Sequence, residues 1–526
     1  MSTNSEVSTI SLSEPNPSLI PEGESLKKLF IPLGILLLGL LYFSSVSDPS
    51  TVLLVILGLI ITIPAGILAW NHPELSLLAL VFLESNIILP DELVDVRLGV
   101  GGLDLRDIVL LGTLGITFVK ELLQRRITLK LFPISGLLLL FLILASFSLI
   151  NALVFEKAAF NWAFNDYRLM LYYTLFFSVS WGISSQKQLK TFIAGLYGIA
   201  NFVVLLMIAQ PFFGIDNLLT SGMSKWQITE EAGEGLRILP PLILLIALLI
   251  VISICYAYFT NNRKYRLIAI AQSSVLILGF LLTYTRSAWV TVIFALLLVL
   301  AYIAFYNFKQ VGTVLLFISP VLLSFVLFFT TVPKSTYSSL PLVGDFLERG
   351  ASIFETEETT ESDSLQWRFY ENSEAIRSIR ERPIFGVGLG NQYREITIIL
   401  GEAAGTRTTD DITRLTRYVH NSFLSMAVKM GLSTLLLFLT TYLAFIFVSW
   451  KLHFKVSDAV YKSIAMGTAI TFVPCLFWAQ FFSLYTESNH ITSVAIFMGL
   501  VAVIAESVHN NNTHDQIDLE PTQSAA

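Results

Sequence analysis

Long apolar runs separated by short polar linkers fill most of this 526-residue chain. A helix crosses a bilayer with about 20 apolar residues, and about 17–25 are tolerated. No water reaches the backbone there, so each run must close its own hydrogen bonds as a helix. Runs stand at 29–43, 51–70, 75–90, 105–120, 133–151, 167–184, 189–210, 238–259, 267–283, 287–305, 311–332, 422–449, 461–482 and 489–507. They predict an all-α polytopic membrane protein with about 14 transmembrane helices. Composition agrees: 14% of residues are charged and 54% hydrophobic, where a soluble domain carries about 25% charged residues. A net charge of −6 argues against a nucleic-acid partner. Cys255 and Cys475 lie inside apolar runs and form neither a ligand cluster nor a disulfide framework.

Residues 1–28 read as a polar, disordered tail. The first run is short enough for a cleaved signal, but the tail ahead of it is long and no A-x-A site follows, so it reads as a span. The polar tail at 509–526 is expected to be disordered too. Basic residues sort the linkers into two sets. Lys27, Lys28, Lys120, Arg125, Arg126, Lys130, Lys187, Lys190, Arg263, Lys264, Arg266, Lys309, Lys451, Lys455 and Lys462 fall on one side. The alternate linkers hold Asp91, Glu92, Asp95, Glu230, Glu231 and Glu234. The positive-inside rule then puts both termini in the cytoplasm.

The spans divide into 29–332 and 421–508, and between them the segment 333–420 is one long extracytoplasmic loop before the last three spans. Leu365, Phe369, Ala375, Ile376 and Ile379 recur at near-helical spacing within it, and Arg382-Pro383 ends the run. "ETEETTESDS" reads as a solvated acidic stretch and "GVGLGNQY" as a turn-rich connector. No internal repeat is strong enough to indicate a two-fold transporter.

Three ionisable residues mark the outward edges of spans: His420 before 422–449, Arg286 in the turn "YTRSAW", and Arg237 in "GEGLRILPPL". Each alone has an ordinary explanation. An arginine near a helix end snorkels to the interface, and Asn421 beside His420 is a good helix cap. Taken in order, the stretches say more. "HNSFLSMAVKMGLSTLLL" resembles the His-Asn motif that opens a late membrane helix in the O-antigen ligase and polymerase superfamily. "TRSAWVTVIFALLL" resembles that family's Ser-Arg-small-small segment. "RPIFGVGLGNQY", with Gly386, Gly388, Gly390 and Asn391, resembles its glycine-rich stretch, and "WRFYENSEAI" fits the helix that precedes it. The resemblance covers about 230–440. The pattern departs at Lys429, where the family often has Glu, at Ser433, where Gly is common, and after Arg237, where "ILPPL" replaces Gly, Phe and Asn.

The resemblance implies a membrane glycosyltransferase on the outer face of the bacterial cytoplasmic (inner) membrane. It would move a glycan from an undecaprenyl-diphosphate carrier to a hydroxyl of an acceptor saccharide or lipid. Imidazole, with an ordinary pKa of about 6.5, is a usable base near neutral pH. Guanidinium groups bind phosphate oxygens in a fork. His420 is then the expected base, and Arg286, Arg237 and Arg417 the expected diphosphate clamp, with Arg414 a possible helper at headgroup level. Direct displacement would invert the anomeric centre. Oxygen-rich Mg²⁺ sites need well-placed carboxylates. "SSVSDPST" offers one Asp, and Asp410-Asp411 lacks an obvious third ligand, so no metal and no other cofactor is expected. Two rivals stand. A transporter, either a lipid-glycan flippase or a small-solute carrier, would use mid-span groups such as Glu84. A non-catalytic assembly or sensor protein would leave His420 dispensable. His490 in "TESNH" is a reserve base, with a solvated loop histidine as its plainer reading.

Overall fold

The computed structural model describes residues 66–86, 104–124, 129–213, 227–230, 236–283, 285–307, 361–394 and 416–517. Helices dominate them. In chain order they are α1 (Pro73–Glu84), α2 (Leu105–Leu123), α3 (Ile134–Val154), α4 (Phe160–Leu171), α5 (Leu175–Gly182) and α6 (Gln186–Phe213). Then come α7 (Ile243–Phe259), α8 (Arg263–Leu281), α9 (Arg286–Tyr306), α10 (Glu361–Glu381), α11 (Ser422–Lys455), α12 (Ala459–Trp478) and α13 (Ser488–Ile517). Among the described residues, seven helices are long and apolar enough to cross a membrane: α3, α6, α8, α9, α11, α12 and α13. The apolar α7 is slightly shorter, at 17 residues.

The expected runs at 29–43 and 311–332, and nearly all of 51–70, lie outside the described residues. So do Arg414 and Asp410-Asp411. Some expected runs within the described residues are not among these seven membrane-length helices. The run at 75–90 is only a 12-residue helix, α1, about 18 Å long and too short for a core of about 30 Å. The run at 105–120 becomes α2, which carries Arg106, Asp107, Lys120 and Glu121. The expected span 167–184 is interrupted by a 3-10 turn, Tyr172–Thr174. That tighter turn sends two tyrosines to different neighbours. Tyr172 donates to Asp107 Oδ1 (3.0 Å), and Tyr173 donates to the Tyr485 carbonyl (3.2 Å).

The all-α class holds apart from one short antiparallel hairpin ahead of α7, in which Gln227–Glu230 (β1) pairs with Leu236–Leu239 (β2) and Arg237 lies opposite Thr229. Also, α13 continues to Ile517, into the tail read as disordered. A helix already nucleated extends at little cost.

Side-chain caps explain where several helices begin. Asp104 and Asp107 form a reciprocal capping box on α2. Asn262, Asn421 and Asp458 each accept two backbone N–H bonds at the starts of α8, α11 and α12. α7 is apolar all round and buried on nearly every side, as such a helix must be. It packs against α8 and α12, while α12 also contacts α9 and α11, and α5 packs on α13. The outer helices keep lipid-suited faces, with Leu297, Leu436 and Phe447 exposed.

The long helix α11 is broken. Gly431 has φ 85° and ψ 165°, which separates a short half-helix, 422–430, from a span at 432–455. The segment 383–391 fills the break. Val387 N donates to Val428 O (2.7 Å), and Leu432 N donates to Pro383 O (2.8 Å). The Ser433 hydroxyl donates to Ile384 O (2.9 Å). The approach leaves no room for side chains: a Cβ at Gly431 would collide with Ile384 O, and one at Gly390 with Ala163 N. Both glycines also have positive φ.

Gly390→Ala and Gly431→Ala are therefore expected to cost more than about 2 kcal/mol each. Gly198→Ala, with nothing within 4 Å of its added carbon, should be near neutral. Thermal unfolding of the detergent-purified variants measures the difference.

Candidate active site

His420 precedes α11 by two residues, and Asn421 is the cap that starts the helix, bonding Phe423 N (3.0 Å) and Leu424 N (3.1 Å). His420 itself is held by α10. Its backbone N–H donates to Glu371 Oε2 (3.0 Å), and its Nδ1 lies 2.8 Å from the same oxygen. Glu371 is 1% exposed while the His420 side chain is 36% exposed. Behind the carboxylate, Arg394 Nη2 lies 3.5 Å from Glu371 Oε1. The Arg394 guanidinium stacks over Trp367 (4.7 Å) and Tyr393 (5.2 Å). The Tyr418 ring meets His420 edge-on at 4.9 Å. Its hydroxyl bonds Ser483 and donates to Glu487 Oε1 (3.1 Å).

A second cluster adjoins the first along the loop 387–394. Asp166 on α4 accepts from Gly390 N (2.8 Å) and pairs with Lys429 Nζ (3.3 Å). Lys429 also donates to the Asn391 carbonyl (2.7 Å). Asn391 Nδ2 donates back to Val387 O (2.8 Å). Gly388 lies against Ala152 of α3, where an added carbon would come within 3.0 Å. Gly386, Gly388, Gly390 and Asn391 are thus packed between α3, α4 and α11 and hold the loop. Arg417 stands three residues before His420, with its guanidinium 4.1 Å from the Trp162 ring centre. Its Nε and Nη1 are buried without a hydrogen-bond partner among the described residues.

The other expected residues sit as follows. Arg286 opens α9. The short link from α8 makes α9 start beside the end of α8. α8 returns from α7, whose leading Pro241 carbonyl accepts from Asn489 (2.8 Å) at the start of α13. The same start of α13 follows Tyr485, whose N–H bonds Ser422 (3.1 Å). Arg286 and His420 thus share one end of the bundle, although the polar contacts described for His420 run to Glu371. Arg237 lies in β2 near the same end, but its side chain falls outside the described residues. His490 is not a solvated loop residue. It is buried against Trp478 and Phe482, which removes it from contact with a bulky acceptor.

Glu84 is fully buried in an ionic network at that end. Its Oε2 accepts from Ser488 (3.1 Å) and lies 3.8 Å from Arg106. Arg106 also pairs with Asp104, while Arg168 bonds Asp107 (2.9 Å). Burial alone would raise the Asp104 pKa, but the hydrogen bond and charge of Arg106, aided by Arg168, outweigh it and hold the carboxyl below its ordinary value. This network ties α1, α2, α4 and α13 together.

Several residues here were missed in the sequence. Glu371 stood inside the quoted "WRFYENSEAI", but a glutamate on an amphipathic helix reads as solvated. Asp166 gave no signal, because Asn161, Asn165 and Arg168 surround it in α4, whereas Lys429 is a charge within an otherwise apolar stretch.

A multi-helix membrane protein with a polar cluster at the mouth of a broken helix is the class that this geometry defines. The family model described as O-Antigen ligase (Wzy_C) matches residues 271–439, from within α8 to within α11. The chain is similar to O-antigen ligases over that segment, which supports the O-antigen ligase and polymerase superfamily that its motifs resemble. No curated protein matches the chain.

Removing one member of a buried ion pair strands the other. Asp166→Ala is expected to cost about 3 kcal/mol, and the double variant Asp166→Ala/Lys429→Met to recover much of that loss. Melting temperatures of the three purified proteins test it.

Proposed function

We propose that this protein is a membrane glycosyltransferase of the O-antigen ligase or polymerase type. Its donor is a glycan on undecaprenyl diphosphate, and its acceptor is a hydroxyl on a saccharide or lipid. The observation that carries the reading is His420, held by a carboxylate yet still accessible, inside the segment that matches the family. The acceptor hydroxyl gives its proton to His420 as its oxygen bonds to the anomeric carbon. The bond from that carbon to the diphosphate breaks, and its electron pair leaves with the undecaprenyl diphosphate. Attack opposite the leaving group inverts the anomeric centre.

Arg417 and Arg286, with Arg237 ahead of α7, stabilise the departing charge. Guanidinium groups do this best where water is scarce. Among the described residues, Glu371, Asp166, Asp104 and Asp107 already face arginine or lysine partners, which favours a reaction that takes its positive charge from basic side chains and needs no metal. The positive-inside pattern supports a site on the outer face, with both termini inside, and the likeness to O-antigen ligases supports the cytoplasmic membrane as its place. Lys130 pairs with Glu506 at the other end of the bundle (2.7 Å), consistent with that orientation. A carrier is the weaker reading. Glu84, the group a carrier would be expected to use, is bonded to Ser488 and faces Arg106 at one end of the bundle, as a structural acid would be.

The test supplies lipid-diphosphate oligosaccharide and candidate acceptors to the protein in nanodiscs. His420→Ala is expected to lower transfer by about 10²-fold or more, and Arg286→Ala and Arg417→Ala by about 10-fold or more, with EDTA having no effect. Full transfer by His420→Ala would sink the proposal. Movement of lipid or solute with no new glycosidic bond would favour the carrier.

A further inference from the structure

We infer that Glu371, on the outer-segment helix α10, is a positioning residue that sets the tautomer and ring orientation of His420. The inference rests on the reading of His420 as the base. An ionised carboxylate only accepts hydrogen bonds. The ring nitrogen facing Glu371 is Nδ1 (2.8 Å), so that nitrogen carries the hydrogen and Nε2, across the ring, keeps its lone pair. The same carboxylate oxygen holds the His420 backbone N–H (3.0 Å). One group thus fixes both the main chain and the ring. Tyr418, edge-on to the ring, limits its tilt.

Glu371 is itself held. It is almost fully enclosed, and the enclosed Arg394 lies 3.5 Å away on its far side. A buried carboxylate is costly unless it is paired. The arrangement suits a group that must stay charged in one place while the imidazole gains a proton. When the acceptor oxygen bonds to the anomeric carbon and the diphosphate departs, the hydroxyl proton passes to Nε2. The Nδ1 hydrogen stays on the ring, and the carboxylate faces the resulting imidazolium. The next turnover begins when Nε2 gives its proton to water. The outer segment is then part of the reaction centre, because α10 must be docked for the base to be set.

A purely structural staple between α10 and the segment 416–420 would use the same contacts, and three measurements separate the two. In protein labelled with ¹⁵N-histidine, the His420 signals are assigned by their loss in His420→Ala. At a pH where the ring is neutral, Nδ1 should be the protonated nitrogen. Protonation at Nε2 overturns the inference, and this measurement needs no Glu371 variant to fold. Where Glu371→Gln folds, it should lower kcat by about 10²-fold with KM within about twofold. In the His420→Ala background, the same change should add nothing to the residual rate. Additive losses, or a change confined to KM, overturn it. If His420→Ala abolishes transfer and Glu371→Gln does not, only this inference fails. If His420→Ala transfers normally, the function proposed above fails as well.

Discussion

A helix that breaks inside a water-poor bundle must find partners for the backbone groups it frees. At Gly431 they come from the connector after α10. Its Pro383 and Ile384 carbonyls and its Val387 N–H meet Leu432, Ser433 and Val428 across the gap. The glycines make this approach possible, and the approach makes the break possible. The half-helix 422–430 then carries Lys429 into the bundle, where it pairs with Asp166. The same connector carries Arg394, behind Glu371 and His420. One loop therefore satisfies the broken helix and braces the residue proposed as base.

Buried charge follows a consistent rule in this fold. Glu371 faces Arg394, Lys429 faces Asp166, and Asp104 and Asp107 face Arg106 and Arg168. Two of these pairs, Lys429 with Asp166 and Arg168 with Asp107, join elements far apart in the chain. Such pairs add little net stability against an apolar alternative, but losing one partner is severe. They specify which helices meet and in what register. Lys429 illustrates this. It departs from the resembling family's usual Glu, and its counter-ion comes from α4.

Much of the architecture could be read from apolar runs alone. Helix existence along most runs followed from the need to satisfy backbone in lipid. The helix α10 was legible too, its apolar spacing and Arg382-Pro383 terminus matching Glu361–Glu381. Asn421 as a cap was equally legible, since its role is local. The interruptions were harder. The break at Gly431 depends on a loop some forty residues earlier, and the turn at Tyr172 on Asp107 and Tyr485. The hairpin at 227–239 was missed because four-residue strands leave almost no alternation to read. At the candidate site, His420 was visible as a motif, but Glu371 looked like a surface acid. Only the folded chain turns it inward.

The position of α13 has a consequence for how the protein is made. In its apolar window 83% of the residues are buried, against 28% for α3. The most enclosed of the seven described spans therefore follows the other six in the chain. Earlier helices enter the bilayer with the groove meant for α13 still vacant, and α5 lacks this neighbour until α13 is made. During biogenesis the insertion machinery or lipid must occupy that slot, and a chain cut short before Ser488 would keep it open.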